Sequence, residues 1–479
     1  MKKFENEGTN SGVYRLFKFI NAFAPPIALF LAALAIRIPW LWEVPRYIDE
    51  LREVNLAYLI YLKEAFPLHN FAREIGAMHN YILAGIFSVF GPNPLWPRLY
   101  VAVTSAATVV LIYYLGKKLY NRWTGLIAAG LLLTNGMHIL VTHMAWANCT
   151  TPFFFTLALF GTVITEQEKS GKWLIFSALL WAMALQTHSS VLVYLIMAVI
   201  YLLRPGFRQE TGIQARYYYA AVGVFLLSYA NMIVYNLISG FDSIQSILGK
   251  HYTLEQHPGI LSFGNNFFNM FTELIRSVSS TYYSHPGFWD YLRYPQFIIA
   301  LCLLGLGIYR TIKMKKSLPV WMITGGFLMI PWINHRYNFY IVTRYIMPII
   351  ICAILLVAYA TADILKTICS KAKHHSRVII PATVAFGIIM VLQWIPFRQY
   401  CSGVTHTDFS NRISLEVLQT VKTYARQSKT IIWLDKELTV KDEPFPLLFR
   451  LSNLQFIPLH TNLLLTQKLD WRKLMNDKP

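Results

Sequence analysis

The stretch that decides the fold is residues 42–81, WEVPRYIDELREVNLAYLIYLKEAFPLHNFAREIGAMHNY, which follows the first long apolar run of the chain. It carries six of the 24 acidic residues, whereas no Asp or Glu occurs between Trp96 and Glu166. The six are Glu43, Asp49, Glu50, Glu53, Glu64 and Glu74. Carboxylates concentrated beside an apolar segment indicate a general base at a membrane surface. The alternative is that a solvated loop simply collects charges.

The composition is that of a membrane protein. Of 479 residues, 55% are hydrophobic and 14% are charged, whereas a soluble domain has about 25% charged residues. Apolar runs of about 20 residues, the length that crosses a bilayer, follow one another along the chain. The formal net charge is +19, but the basic residues fall mostly between these runs. Lipid headgroups and membrane orientation explain that placement better than nucleic acid does. We therefore expect a polytopic all-α membrane protein that contacts membrane lipids and no nucleic acid.

Eleven apolar segments predict transmembrane helices. They are residues 19–41, 98–119, 123–141, 148–165, 173–186, 189–203, 217–239, 295–309, 319–333, 343–365 and 378–394. The first is followed by a loop, residues 43–96, in which helical spacing of apolar residues predicts two amphipathic helices, over 47–65 and 78–90. The apolar stripe of the first is Leu51, Val54, Leu56, Leu59 and Leu62.

Lys and Arg alternate from loop to loop. The N-terminal lead and every second loop are rich in them, whereas the short loops 138–147 and 187–190 have none. Since cytoplasmic loops carry this excess, the N-terminus is predicted inside, with loop 43–96, segment 240–294 and the C-terminal tail outside. Residues 1–396 form the membrane domain. The tail, 397–479, has short apolar runs that predict a small soluble α/β domain, the alternative being a loosely ordered tail.

The best candidates for a catalytic base lie early on the first amphipathic helix. Asp49 and Glu50 stand near the point where the first span emerges. A positioned carboxylate can accept the proton of a hydroxyl, and we take Asp49 as the first candidate and Glu50 as the second. Glu53 and Arg52, one turn further on, are predicted to pair with each other.

Several motifs, taken in order, resemble one superfamily. They are IDELREVNLAYLI, Glu74 with the following HNYILAGIFSVFG, Arg98-Leu99, GKKLYNRWTGLIAA and RYIMP at residues 344–348. This pattern resembles the GT-C superfamily of glycosyltransferases, most of all the family 39-like branch with the protein mannosyltransferases and lipid A aminoarabinose transferases. The resemblance covers residues 36–205, and 344–348 more weakly. The tail looks like the small outer domain of bacterial members.

The resemblance implies an inverting transfer of a sugar from a polyprenyl-phosphate carrier to an acceptor hydroxyl, on the outer face of a bacterial inner membrane. In that picture Asp49 accepts the hydroxyl proton and Glu74 helps to hold the acceptor or donor. The acceptor is a protein, a lipid or a glycan, and the sequence specifies neither it nor the sugar.

The leaving lipid phosphate needs cationic partners, and the arginine fork engages phosphate bidentately. Arg344 and Arg336 lie on the predicted outer side, in the tyrosine-rich run that includes Tyr345. The alternative for Arg344 is an interfacial anchor. Weaker candidates for substrate contact are Arg98, Arg73 and His79.

No metal is expected to be obligatory, although some relatives use a divalent cation. His251, Glu255 and His257 have a spacing that could bind one, but a chance polar loop explains it better. The five cysteines show no CxxC spacing. Two other functions compete with the glycosyltransferase: a transporter or flippase of lipid-linked glycans, and an O-antigen polymerase or ligase.

Overall fold

The computed structural model describes residues 11–41, 48–247, 260–281, 288–314, 316–333, 343–371 and 376–405. These residues are mostly helical and contain no strand, only an isolated bridge between His69 and Gly76. The predicted all-α membrane body is therefore confirmed for them. The strands predicted in the tail fall within 406–479, outside the described residues, and stay a prediction.

Nineteen α-helices follow one another in the described parts of the chain. They are α1 Ser11–Arg37, α2 Ile48–Tyr61, α3 Met78–Phe90, α4 Trp96–Leu119, α5 Arg122–Leu133, α6 Gly136–Val141, α7 Thr151–Gln167, α8 Gly171–Leu185, α9 Val191–Leu203, α10 Phe207–Thr211, α11 Ala215–Ser228, α12 Ala230–Ile238, α13 Asp242–Ile247, α14 Ile260–Ser279, α15 Phe288–Tyr291, α16 Pro295–Lys313, α17 Leu318–Ile333, α18 Met347–Lys371 and α19 Ser376–Thr405. Two 3-10 turns cover Ala147–Thr150 and Thr343–Ile346.

The centre of the bundle is α18. Its residues 347–356 are all buried, and it packs against α5, α7, α14, α16 and α17. A helix that is apolar on every side is stable only when neighbours cover all of its sides. The sequence of α18 therefore determines its central place, and the helices that carry polar groups are arranged around it.

The turn between α4 and α5 brings two helices into close contact. A Cβ on Gly125 would lie 2.4 Å from the carbonyl oxygen of Tyr113, so a larger residue does not fit there. Asn121 begins α5, and its side chain accepts a hydrogen bond of 2.9 Å from the Thr124 N–H. The cap satisfies one of the free donors of the helix start, which explains why the turn falls here.

Among the described residues, four helices are long and apolar enough to cross a membrane, or five if α11 and α12 count as one bent span. The four are α4, α7 with its preceding turn, α16 and α18. Shorter apolar helices coincide with each of the other predicted spans. These apolar helices are those of an integral membrane protein. The count of eleven spans stays a prediction.

Two predicted spans are interrupted. The span predicted over 123–141 breaks after Leu133, because the Asn135 side chain accepts from the His138 N–H at 2.9 Å and begins α6. The span predicted over 217–239 bends by 63° between α11 and α12. The residue pattern alone predicted one continuous helix in each case. Local capping and tertiary contacts, which the pattern does not contain, interrupt both helices.

The segment predicted as a polar outer region, 240–294, contains a helix of the bundle. α14 has 20 residues, packs against α16, α17 and α18, and buries Met270, Leu274, Ile275 and Val278. Its polar residues lower the mean hydropathy, which is why the composition did not reveal it. At the other end, α19 continues through the predicted domain boundary at residues 396–397 to Thr405.

Candidate functional site

The buried face of α2 carries two acids. Its buried positions are Glu50, Glu53, Val54, Ala57 and Ile60, spaced as one face of a helix. Of the predicted apolar stripe, Val54 belongs to this buried face, whereas Leu62, its last member, is 42% exposed. Two carboxylates face inward because each meets a hydrogen-bond donor there, as buried charges must.

The first acid, Glu50, forms an ion pair with Arg98 of α4. Arg98 Nε donates to Glu50 Oε1 at 2.8 Å, and Arg98 Nη2 donates to Glu50 Oε2 at 2.9 Å. Arg98 Nη1 donates to the carbonyl oxygen of Leu41 at 2.7 Å. Both side chains are fully buried. The pair joins α2, α4 and the end of the first span.

The second acid, Glu53, is bonded to two further parts of the chain. Its Oε2 accepts from the Ala147 N–H at 2.7 Å, and its backbone carbonyl accepts from Asn80 Nδ2 at 2.8 Å. Arg52, its predicted partner, places its guanidinium 4.6 Å from the centre of the Phe71 ring. Glu53 therefore contributes to the packing of α2 on α3 and on the turn that precedes α7, a role the sequence did not predict.

His79 is buried at the start of α3. Its Nε2 donates to the carbonyl oxygen of Ala145 at 3.2 Å, and lies 4.0 Å from Glu53 Oε2. Burial lowers the pKa of the imidazole from 6.5 to about 4, although the Ala145 carbonyl and the charge of Glu50 raise it. His79 is neutral at pH 7, so its approach to Glu53 is a contact between a neutral ring and a carboxylate.

Two predicted residues are described by their backbone alone. Asp49 lies in the first turn of α2, one position before Glu50, and Arg344 lies in the turn Thr343–Ile346. Arg336 lies outside the described residues. Tyr345, next to Arg344, stacks on His188 with ring centres 4.4 Å apart and an angle of 23°. His188 lies between α8 and α9, so the stacking links the Arg344 segment to that turn.

Glu74 and Arg73 face α13 rather than α2. Ser246 Oγ donates to Glu74 Oε2 at 3.0 Å. Arg73 pairs with Asp242, with Nη1 2.9 Å from Oδ2. The structure thus divides the predicted site residues of the outer loop into two groups. Glu50, Arg98 and His79 are bonded inside, and Glu74 and Arg73 meet α13 at the surface.

Arg37 is a buried polar residue that the sequence reading missed. Its Nε donates to Ser105 Oγ at 2.6 Å, and its Nη2 donates to His138 Nδ1 at 2.9 Å. Its Nη1 donates to the carbonyl oxygen of Leu133 at 3.2 Å, where α5 ends. A single basic residue at the end of the first apolar run was the signal that could have revealed it.

In the described part of the chain, no group of three or more His, Cys, Asp or Glu side chains is arranged to hold a metal ion. The spaced residues His251, Glu255 and His257 lie outside that part. The expectation about a divalent cation stays a prediction.

Residues 76–235 match the family model described as dolichyl-phosphate-mannose-protein mannosyltransferase. The match covers about a third of the chain, from α3 to α12. It begins after Asp49, Glu50 and Glu74 and ends before Arg344, so the roles of these residues do not rest on it. No curated protein sequence matches the chain.

Solved structures share the fold. ArnT from Cupriavidus metallidurans, crystallised with undecaprenyl phosphate, aligns with a TM-score of 0.51 and 13% identity over 79% of this chain and 73% of that one. The Archaeoglobus fulgidus oligosaccharyltransferase in its apo form aligns with a TM-score of 0.54 and 12% identity over 84% of this chain and 58% of that one. The same organism's AglB, with an inhibitory peptide and a dolichol-phosphate, aligns with a TM-score of 0.51 and 10% identity over 80% and 56%. The chain spans a little over half the length of the archaeal enzymes.

The match over residues 76–235 and the fold shared with ArnT and the archaeal oligosaccharyltransferase both make this chain similar to GT-C glycosyltransferases. This confirms the resemblance seen in the sequence motifs. The branch indicated by the matched family is the mannosyltransferase-like one.

Proposed function

We propose that the protein transfers a sugar from a polyprenyl-phosphate carrier to an acceptor hydroxyl, with inversion, on the outer face of a bacterial inner membrane. The description of the matched family names dolichyl-phosphate-mannose. The solved structures of ArnT and AglB contain undecaprenyl phosphate and dolichol-phosphate, respectively. The alternation of basic loops supports the outer face.

The observation that carries the proposal is the attachment of α2. The Glu50–Arg98 pair and the Glu53–Ala147 hydrogen bond hold this helix against the membrane body. Because Asp49 belongs to the first turn of the same helix, its backbone has a fixed place beside the pair. A base must be held within reach of the proton that it abstracts, and this attachment provides such a support.

In the proposed reaction, the acceptor hydroxyl oxygen attacks the anomeric carbon of the donor. The bond between that carbon and the phosphate oxygen breaks, and its electron pair leaves with the polyprenyl phosphate. The hydroxyl proton passes to the carboxylate of Asp49, the proposed general base. Arg344 stabilises the charge that develops on the leaving phosphate.

The remaining predicted site residues have supporting roles in the proposal. Glu74 orients the acceptor or the donor, with Arg336 and Tyr345 as further substrate contacts. Glu50, Arg98 and His79 are bonded to protein groups in the structure, which favours a role in holding α2 and α3. Direct contact of these three with a substrate stays a prediction, as it does for Arg73.

The proposal is tested by purifying the protein and identifying its co-purifying lipid by mass spectrometry. The purified protein is then supplied with polyprenyl-phosphate sugars and candidate acceptors, and released polyprenyl phosphate is measured. Asp49→Asn should lower the transfer rate by roughly 10²–10⁴-fold, since a positioned base contributes that much. The folded protein and its bound lipid should be retained.

Asp49→Glu should recover little activity, because the added methylene displaces the base. A transfer rate close to wild type in the Asp49→Asn variant would contradict the proposed mechanism. A transporter would instead move the lipid-linked sugar across a vesicle membrane without releasing polyprenyl phosphate.

A further inference from the structure

The middle of the first outer loop, from Leu68 to Arg73, contacts α12 and α13. Asn231 Nδ2 donates to the carbonyl oxygen of Leu68 at 2.7 Å, and Ser243 Oγ donates to the carbonyl oxygen of Arg73 at 2.9 Å. The loop backbone is thus bonded to α12 at one end and to α13 at the other. Its own turn is closed by the Asn70 N–H, which donates to the Ile75 carbonyl at 2.8 Å.

Charged and aromatic side chains strengthen the docking. Arg73 Nη1 lies 3.2 and 2.9 Å from the two carboxylate oxygens of Asp242. Tyr235 of α12 donates its hydroxyl proton to Asp242 Oδ2 at 2.7 Å. The Tyr235 ring lies 4.1 Å from the ring of His69, between ring centres. Asp242 therefore links the loop, α12 and α13 through one carboxylate.

The docking continues into the bend between α11 and α12. A bent helix leaves backbone carbonyls without their usual partners, and such groups need others inside a membrane protein. Gln186 Nε2 donates to the Ser228 carbonyl at 2.9 Å, and Gln186 Oε1 accepts from Asn231 at 3.2 Å. A Cβ on Gly76 would lie 2.5 Å from Gln186 Oε1, so glycine is needed for this approach.

Ser246 adds one contact of a different kind. Its hydroxyl donates to the Glu74 carboxylate at 3.0 Å, and Ser246 is 6% exposed. The bond fixes one oxygen of Glu74 and leaves the second for another partner. α13 is itself held by Asp242 and Ser243, so Ser246 presents its hydroxyl from a supported position.

We propose that Ser246 is a positioning residue for Glu74, and that the bent span α11–α12 with α13 provides its support. The inference rests on the proposed function, in which Glu74 orients the acceptor or the donor. It extends that function because it assigns a role to α13, at the start of the second outer segment.

The kinetic test uses Ser246→Ala, which removes the hydroxyl and leaves the other contacts of α13. We expect roughly a 3- to 10-fold loss in kcat/KM, the typical net effect of removing one hydrogen bond. The loss should fall on the same parameter, KM or kcat, that Glu74→Gln changes. Ser246→Thr keeps the hydroxyl and should restore activity. Gln245→Ala is the matched control on the same helix, because the Gln245 side chain donates to the Gly240 carbonyl at 2.8 Å, and it should match wild type.

A double variant separates positioning from a general loss of stability. If Ser246 acts through Glu74, adding Ser246→Ala to Glu74→Gln should cause no further loss. Losses that multiply in the double variant, or a Ser246→Ala enzyme with wild-type kinetics, would overturn the proposal.

A second measurement does not depend on activity. Hydrogen–deuterium exchange of the Asn70 and Ile75 amides reports whether the loop is held, because both amides donate within its turn. Asp242→Asn should speed their exchange several-fold, whereas Gln245→Ala should not. Unchanged exchange in Asp242→Asn would show that α13 does not hold the loop.

The two failures can be told apart. If the wild-type protein transfers no sugar from any polyprenyl-phosphate donor, the proposed function fails, and the exchange experiment still decides whether α13 anchors the loop. If transfer proceeds and only the Ser246 variants match wild type, the positioning role alone fails.

Discussion

Glu50 and Arg98, 48 residues apart in the sequence, form two parallel hydrogen bonds of 2.8 and 2.9 Å with both side chains fully buried. The arrangement is the bidentate geometry for which a guanidinium and a carboxylate are suited. Since neither charge reaches water, each depends on the other for its solvation. The third donor used by Arg98, toward Leu41, fixes the end of the first span relative to α2.

The first prediction concerns this pair. Removing one partner of a buried ion pair leaves an uncompensated charge and costs about 3–5 kcal/mol. Glu50→Gln should therefore lower the apparent melting temperature and the folded yield of the purified protein, measured by thermal challenge and size-exclusion chromatography. Asp49→Asn, one residue away, is the control and should melt like wild type. An unchanged melting temperature for Glu50→Gln would contradict the structural role.

The second prediction concerns the pH dependence of stability through His79. Its pKa is lowered to about 4 when folded, against 6.5 when exposed, because burial disfavours the charged ring. The unfolded chain binds the extra proton between these values, so this contribution is complete above pH 6.5 and is lost as the pH falls toward 4. The difference corresponds to about 3 kcal/mol at most.

His79→Gln should flatten the fall in stability between pH 6.5 and 4, measured by thermal unfolding at several pH values. His143 titrates in the same direction, with a pKa lowered to about 4 by burial, so part of the fall should remain. The idea fails if wild type and His79→Gln lose stability equally over this window.

The third prediction concerns Arg344. The proposed phosphate contact uses the two-pronged geometry of the guanidinium, which lysine does not reproduce. Arg344→Lys should raise the KM for the lipid donor about tenfold, equivalent to roughly 1.4 kcal/mol. Arg122→Lys, at an exposed position on the predicted inner side, serves as the control. Normal turnover by Arg344→Ala at limiting donor would reduce the residue to an interfacial anchor.

The fourth prediction concerns orientation. In a variant without the five native cysteines, a cysteine at Glu64 should react with an impermeant thiol reagent in intact cells. A cysteine at Gln209 should be protected until the membrane is permeabilised. Both positions are exposed in the structure, so the contrast reports sidedness rather than burial. Labelling of the cysteine at position 209 in intact cells would show that the predicted orientation is wrong.

The positions of most membrane helices could be predicted from the sequence, because long apolar runs between basic loops leave few alternatives, whereas α14 and the breaks in two spans could not. The two helices of the first outer loop, α2 and α3, also lie where the apolar spacing placed them. The direction in which α2 faces could not be predicted in the same way. Its buried side includes Glu50 and Glu53, and hydropathy alone assigns such residues to solvent.

The same difficulty explains the other differences. The partners of Glu50 and Glu53 are Arg98 and the Ala147 amide, which are distant in the sequence, and no local pattern links them. The bend at Ser228 depends on Gln186, and the anchoring of Glu74 depends on Ser246. Contacts of this kind arise only once the chain is folded, whereas apolar periodicity is a property of each segment by itself.

The burial of Arg37 has a consequence for the order in which the chain is assembled in the membrane. α1 is synthesised before α5, whose last carbonyls accept from Arg37 in the finished protein. Until α5 arrives, the guanidinium has no such acceptors and stays at the water interface, since a charge within the bilayer costs about 2.5–3.5 kcal/mol or more. Docking of α5 then draws it inward. The final depth of the end of α1 therefore depends on a helix that is made after it.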